Sequence, residues 1–208
     1  MSEDWNTDMM RRAIDLARQR LGRTWPNPAV GCVLVKDGLL LAEAATGEGG
    51  RPHAEEQAIA AAGPAALGAV TYVTLEPCGC RSSGSASCSE RLVAGGVARV
   101  AIACDNPDPL SAGLGVQRLR AAGIEVRERF LAEEAEAALY RGFRHRLATG
   151  LPLVETADGG MGYDALFEPR PGENLEAALK RYGEAGYGLL WTPKDGPTAR
   201  WLAARAKD

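Results

Sequence analysis

Apolar residues fall at a helical spacing near the start of the chain. Met10, Ala13, Ile14, Ala17 and Leu21 share one face, Asn6 or Thr7 can cap the start, and Gly22 suits a helix end. Trp25-Pro-Asn-Pro28 then reads as a rigid turn, because each proline fixes its own φ and drives the preceding residue out of the α region. Two nearly continuous apolar runs follow, Ala29 to Val35 and Leu39 to Ala42. Between them, Lys36-Asp37-Gly38 carries the Asp-Gly signal of a tight hairpin. Strands apolar on both faces belong inside a sheet covered on each side.

Beyond the hairpin, helices and strands alternate. Helices are expected over His53 to Ala62, Ser89 to Ala94, Gly115 to Ala122 and Leu131 to Leu147, with strands at Val70 to Leu75, Ala98 to Ala103 and Ile124 to Val126. This pattern predicts an α/β protein with three layers, α/β/α, around a mixed, mainly parallel sheet. The domain is expected to occupy residues 1–148. Residues 149–208 lose the alternation. They hold one helix (Asn174 to Gly183), a short apolar stretch (Gly188 to Trp191) and a basic amphipathic end (Thr198 to Lys207). They read as a C-terminal extension packed on the first domain or on a neighbouring subunit.

Composition narrows the function. The formal charge of −3 argues against binding nucleic acid by bulk phosphate attraction, and the basic residues Arg200, Arg205 and Lys207 read as a solvated helix face. No apolar run approaches the roughly 20 residues of a membrane span, and the polar, acidic start is unlike a secretory signal. A cytoplasmic protein is expected. Five cysteines at irregular spacing suit thiols or metal ligands better than a disulfide framework. Only two histidines, His53 and His145, are available for imidazole chemistry.

The chemistry concentrates in His53-Ala-Glu55, Glu76-Pro-Cys78 and Cys88. One imidazole and two thiolates form a borderline-soft ligand set suited to zinc, with a fourth position left for water. Each lies at a strand end or a helix start, where unpaired N–H groups favour thiolates. Glu55 is expected to be no ligand; it would take a proton from the activated water and pass it to leaving ammonia. Taken singly, these residues read as caps and turn thiols; their order along the chain is what favours catalysis. Cys80 is the competing fourth ligand, and its binding would close the site, although Cys78-Gly-Cys80 is tight spacing for one tetrahedral ion.

The chain resembles the zinc nucleobase deaminases in this His-x-Glu…Pro-Cys…Cys order. Residues 10–147 more closely resemble the deaminase domain of the riboflavin-biosynthesis bifunctional deaminase–reductase family. The resemblance runs through Thr24 to Lys36, Gly50-Arg-Pro-His-Ala-Glu55, Tyr72 to Cys78, Cys88, Ala94 to Val100 and Asn106 to Gly115. It implies zinc ligation by His53, Cys78 and Cys88, proton transfer by Glu55, and a ring contact from Asn27. The implied reaction is hydrolytic loss of the 2-amino group of 2,5-diamino-6-(5-phosphoribosylamino)pyrimidin-4-one. Arg51, Arg81 and Asp105 are the remaining candidates to frame that substrate. The implied partner is a small molecule, with neither nucleic acid nor membrane, and the assembly a homodimer or homotetramer.

Two departures stand out. The loop Gly79 to Ser87 lacks the family's histidine after the first metal cysteine, and Asp105-Asn-Pro-Asp-Pro109 reorders a familiar loop. Leu151 to Gly159 resembles the opening strand of the family's reductase domain, but no dinucleotide fingerprint appears, so neither NADPH binding nor reduction is expected. Other substrates stay open, namely guanine, cytosine or a secondary-metabolite pyrimidine, as does a catalytically silent assembly module.

Overall fold

The structure, a computed structural model, describes residues 5–81, 84–158, 160 and 162–205. The acidic residues before Trp5, Ser82 and Ser83 of the loop between Cys78 and Cys88, Gly159, and Lys207 lie outside the described residues.

Helix α1 (Thr7–Arg18) starts at Asn6, whose Oδ1 accepts the amide of Asp8 at 2.9 Å, and it buries Met10, Ala13, Ile14 and Ala17. It stops short of the expected Leu21, in tight turns where the Arg20 amide meets the Ala17 carbonyl at 2.9 Å. Strands β1 (Gly31–Lys36) and β2 (Leu39–Ala45) form the expected hairpin. Asp37 (φ 52°) and Gly38 (φ 75°) both take the left-handed conformation that a two-residue turn of this twist requires.

The sheet continues through β3 (Val70–Leu75), β4 (Arg99–Cys104) and β5 (Glu125–Arg127), in the order β2-β1-β3-β4-β5. The pairs β3/β4 and β4/β5 are parallel; β1 is antiparallel to both β2 and β3. The sheet is therefore mixed, with every strand but β1 running in one direction, as expected. The hairpin reverses the chain before the first crossover, so β3 runs along β2 while β1 lies between them in the opposite sense. Helices α2 (Ala54–Ala62), α3 (Cys88–Ala94) and α4 (Leu114–Ala121) form one outer layer. The other holds α1 and a helical run over residues 132–149.

That run is not the single regular helix expected from Leu131 to Leu147. It consists of α5 (Ala132–Ala135), a π-helical turn (Glu136–Tyr140) and α6 (Arg141–Thr149). Within the widened turn Tyr140 is fully buried and its hydroxyl shares a 2.6 Å hydrogen bond with Thr74 Oγ1.

After α6 the chain builds more than an extension. Strands β6 (Leu153–Ala157), β7 (Ala165–Leu166) and β8 (Leu189–Pro193) form a second, wholly parallel sheet in the order β6-β8-β7. Helices α7 (Leu175–Glu184) and α8 (Pro197–Arg205) accompany it. Phe167, Ala178, Leu179 and Leu190 make a separate small core. The unit rests on α6, where Gly142 lets β8 approach so closely that a Cβ would overlap Leu189.

Candidate active site

The first sheet delivers the site from its strand ends. His53 is the cap residue preceding α2, with extended backbone. Cys78 follows β3 by three residues. Ser87 caps α3, its hydroxyl accepting the Glu90 amide while Glu90 returns a bond to the Ser87 amide at 2.7 Å. This reciprocal cap places Cys88 in the first turn, where its own amide donates to Cys78 Sγ at 3.3 Å.

The donor atoms of His53, Cys78 and Cys88 all lie within 4.8 Å of one another. His53 Nδ1 is 3.9 Å from Cys78 Sγ and 3.3 Å from Cys88 Sγ. Zinc bonded to sulfur at about 2.3 Å and nitrogen at about 2.0 Å, in tetrahedral geometry, would hold such atoms about 3.5 Å apart. The two distances bracket that value. His53 Nε2 is buried without a partner, so the ring's polar contacts are directed at the two sulfurs. The residues fit zinc. Cys80 does not join them, because its sulfur turns to the Leu110 carbonyl at 3.7 Å.

Electrostatics follow from this packing. A hydrogen bond from Cys88 draws the Cys78 thiol down to about 3, against burial and with help from His53 and the Cys88 amide. The same bond, together with burial and the nearby Glu55, pushes Cys88 up. Glu55 is buried, and desolvation raises its pKa against the pull of His53. The raised pKa favours the protonated carboxyl, the form that can hand a proton to a departing amine.

His53, Glu55 and Cys78 open onto a cleft of about 950 Å³. Asn27 stands in its wall, held by a 3.2 Å bond from Nδ2 to the Gly50 carbonyl. Arg51 is in the same wall, exposed and without an ion-pair partner among the described residues. Arg81 reaches the wall too, but its side chain is buried and its charge engaged. One nitrogen pairs with Glu56 at 2.9 Å and another donates to Cys88 Sγ at 3.5 Å. Asp105 is not brought to the cleft; it pairs with Arg129 at 3.4 Å over a separate groove.

Residues 3–104 match the family model of the cytidine and deoxycytidylate deaminase zinc-binding region. Over these residues the chain carries the zinc-binding region of this deaminase family. Riboflavin biosynthesis protein RibD of Escherichia coli is 44% identical to it over 146 residues, covering 70% of this chain and 39% of that protein. The Actinobacillus pleuropneumoniae protein of that name is 46% identical over 157 residues, covering 73% and 41%. The chain thus spans about two fifths of the length of these relatives. Acinetobacter baumannii RibD, a solved structure, superposes with a TM-score of 0.65 at 45% identity, over 72% of this chain and 41% of that one. A Thermotoga maritima diaminohydroxyphosphoribosylaminopyrimidine deaminase/5-amino-6-(5-phosphoribosylamino)uracil reductase superposes at 0.71 and 25% identity, over 89% of this chain and 80% of that one. That coverage reaches past α6 into the C-terminal unit. No helix among the described residues is long and apolar enough to cross a membrane.

Two residues that the deaminase site depends on carry no signal in short-range spacing. Helix α4 begins at Gly113 without a side-chain cap. The buried Glu76 carboxylate replaces it, accepting the amides of Gly113 at 3.1 Å and Val116 at 3.3 Å. Arg118 on α4 donates to the Gly79 carbonyl at 2.5 Å and to Ser89 Oγ at 2.7 Å, tying down both ends of the segment between the metal cysteines. An acidic residue beside Pro-Cys and a helix with no local cap were the available clues.

Proposed function

We propose that the chain is a zinc-dependent hydrolytic deaminase of riboflavin biosynthesis. It would convert 2,5-diamino-6-(5-phosphoribosylamino)pyrimidin-4-one and water to 5-amino-6-(5-phosphoribosylamino)uracil and ammonia. The observation that carries this reading is the convergence of three metal donors beside a buried carboxyl that is not one of them. Zinc held by His53, Cys78 and Cys88 supplies Lewis-acid activation of water. Glu55 accepts the water proton on its carboxylate and returns it to the departing amine as the ring C–N bond breaks. Asn27 contacts the pyrimidine through its amide, and Arg51 offers its unengaged guanidinium to the ribose phosphate. Arg81 commits its two terminal nitrogens to Glu56 and Cys88 and stands in the cleft wall as an engaged cation, so Arg51 is the freer of the two for the phosphate. Asp105 is withdrawn from substrate contact by its position.

Residues 1–148 form the deaminase domain in this reading, and residues 149–208 the C-terminal unit. A homodimer or homotetramer is the proposed assembly, checked by sedimentation. Glu55→Gln decides the central claim. The variant is expected to keep one zinc per chain while ammonia release from the ribosyl phosphate falls by about 10²–10⁴-fold. Undiminished release would overturn Glu55's role, and turnover of free guanine or cytosine alone would overturn the substrate.

A further inference from the structure

The turn that carries Asn27 is bound on its far side to the C-terminal unit. Trp25 opens that turn, and the Arg146 guanidinium lies over its ring, 3.4 Å from the centroid. Phe143, one turn of α6 earlier, meets the same ring edge-on at 6.0 Å. Arg146 is 5% exposed. It donates to the Tyr187 carbonyl at 3.0 Å and also to the Gly183 carbonyl. Both acceptors belong to the C-terminal unit, at the end of α7 and before β8. Asp164 holds the same corner, accepting the amides of Gly188 at 2.5 Å and Leu189 at 3.0 Å. Gly186 faces Trp25 so closely that a Cβ there would touch it at 3.4 Å.

On its near side the turn is equally constrained. The Asn27 amide donates to the Thr24 carbonyl at 3.0 Å, and a Cβ on Gly50 would collide with Asn27 and Thr24. Pro26, Asn27 and Pro28 then form part of the cleft wall. Trp25 is thus one end of a stiff segment whose other end faces substrate.

We propose that Arg146 is a positioning residue through which the C-terminal unit sets the Trp25–Pro28 turn, and with it the reach of Asn27 into the cleft. The unit is then part of the substrate-recognition apparatus of the deaminase, although none of its described residues lines the cleft. This rests on Asn27 as the ring contact. A guanidinium desolvated between an aromatic face and two carbonyls contributes through both, and a thioether of similar length restores neither.

The test uses the full chain carrying Arg146→Met, with amide hydrogen exchange followed by mass spectrometry and steady-state kinetics on the aminopyrimidine ribosyl phosphate. Exchange across residues 23–28 is expected to rise about tenfold. KM is expected to rise by a similar factor, while kcat and zinc content stay at the level of the unaltered chain. Unchanged exchange in that segment overturns the brace. Faster exchange with unchanged KM overturns its link to substrate. If the unaltered chain releases no ammonia, the proposed reaction fails, yet exchange still decides the brace. Trp25→Leu guards against misfolding of the first variant, since it spares Arg146 and both its carbonyls. It is expected to loosen residues 23–28 while amides of α7 and β8 stay protected, and protection of that turn would overturn the proposal.

Discussion

Arg81 illustrates how a charge takes its meaning from its partners. In the sequence it is a cation in a serine- and glycine-rich loop, and phosphate binding is the natural expectation. In the fold it pairs with Glu56, which also holds Arg91 at 3.0 Å, and it donates a hydrogen bond to the sulfur of Cys88, one of the three candidate zinc donors. Such a donor withdraws charge from the thiolate and fixes its direction. Arg81→Met is expected to weaken zinc binding by about 10–100-fold in competition with a chromogenic chelator. Unaltered affinity would refute the role. His53, Glu55, Cys78 and Cys88 were legible because each sits at a strand end or helix start that the hydrophobic pattern already located. Arg81, Asp105 and Glu76 were not, because Glu56, Arg129 and the amides of α4 reach them only through tertiary packing.

Among the elements, α4 depends most on a distant residue. Its cap comes from Glu76, and its first turn lies so close to the Cys78 segment that a Cβ on Gly115 would overlap the Pro77 carbonyl. Gly115→Ala is therefore expected to cost about 1–3 kcal/mol by overpacking. It should also lower zinc occupancy, since it pushes on the backbone that carries Cys78; thermal unfolding and metal analysis measure the two effects. In the C-terminal unit, Glu173 precedes α7 and receives Arg181 at 3.0 and 2.8 Å, which, with the Arg170 amide, holds its carboxyl down at about 2. A carboxyl depressed on folding stabilises fully above its ordinary value near 4.5 and loses that contribution as pH falls towards 2. Glu173→Gln is expected to flatten the acid-unfolding curve across this window. A curve of unchanged slope would show that the pair contributes nothing. Strands and helices of the first sheet were readable from apolar runs. The direction of β1 against β3 was not, because it follows from the crossover. Nor was β7, whose two paired residues are too short to show a period.

The molecule as a whole has two cores with α6 between them. Phe143, Arg144 and Leu147 on this helix border the cleft, while Gly142 and Arg146 meet the C-terminal unit. The sequence showed a helix here and an apolar stretch beyond it. It did not show a second sheet, because β6 and β8 pair with each other across more than thirty intervening residues. Which side of α6 meets which core is governed by the π-helical turn ahead of it. A regular helix advances about 100° per residue, and a π turn absorbs one additional residue without passing that rotation on. The segment 136–140 therefore acts as slack in the chain. A residue lost from that turn leaves α6 in phase, whereas one lost further along would swing Arg146 away from Trp25.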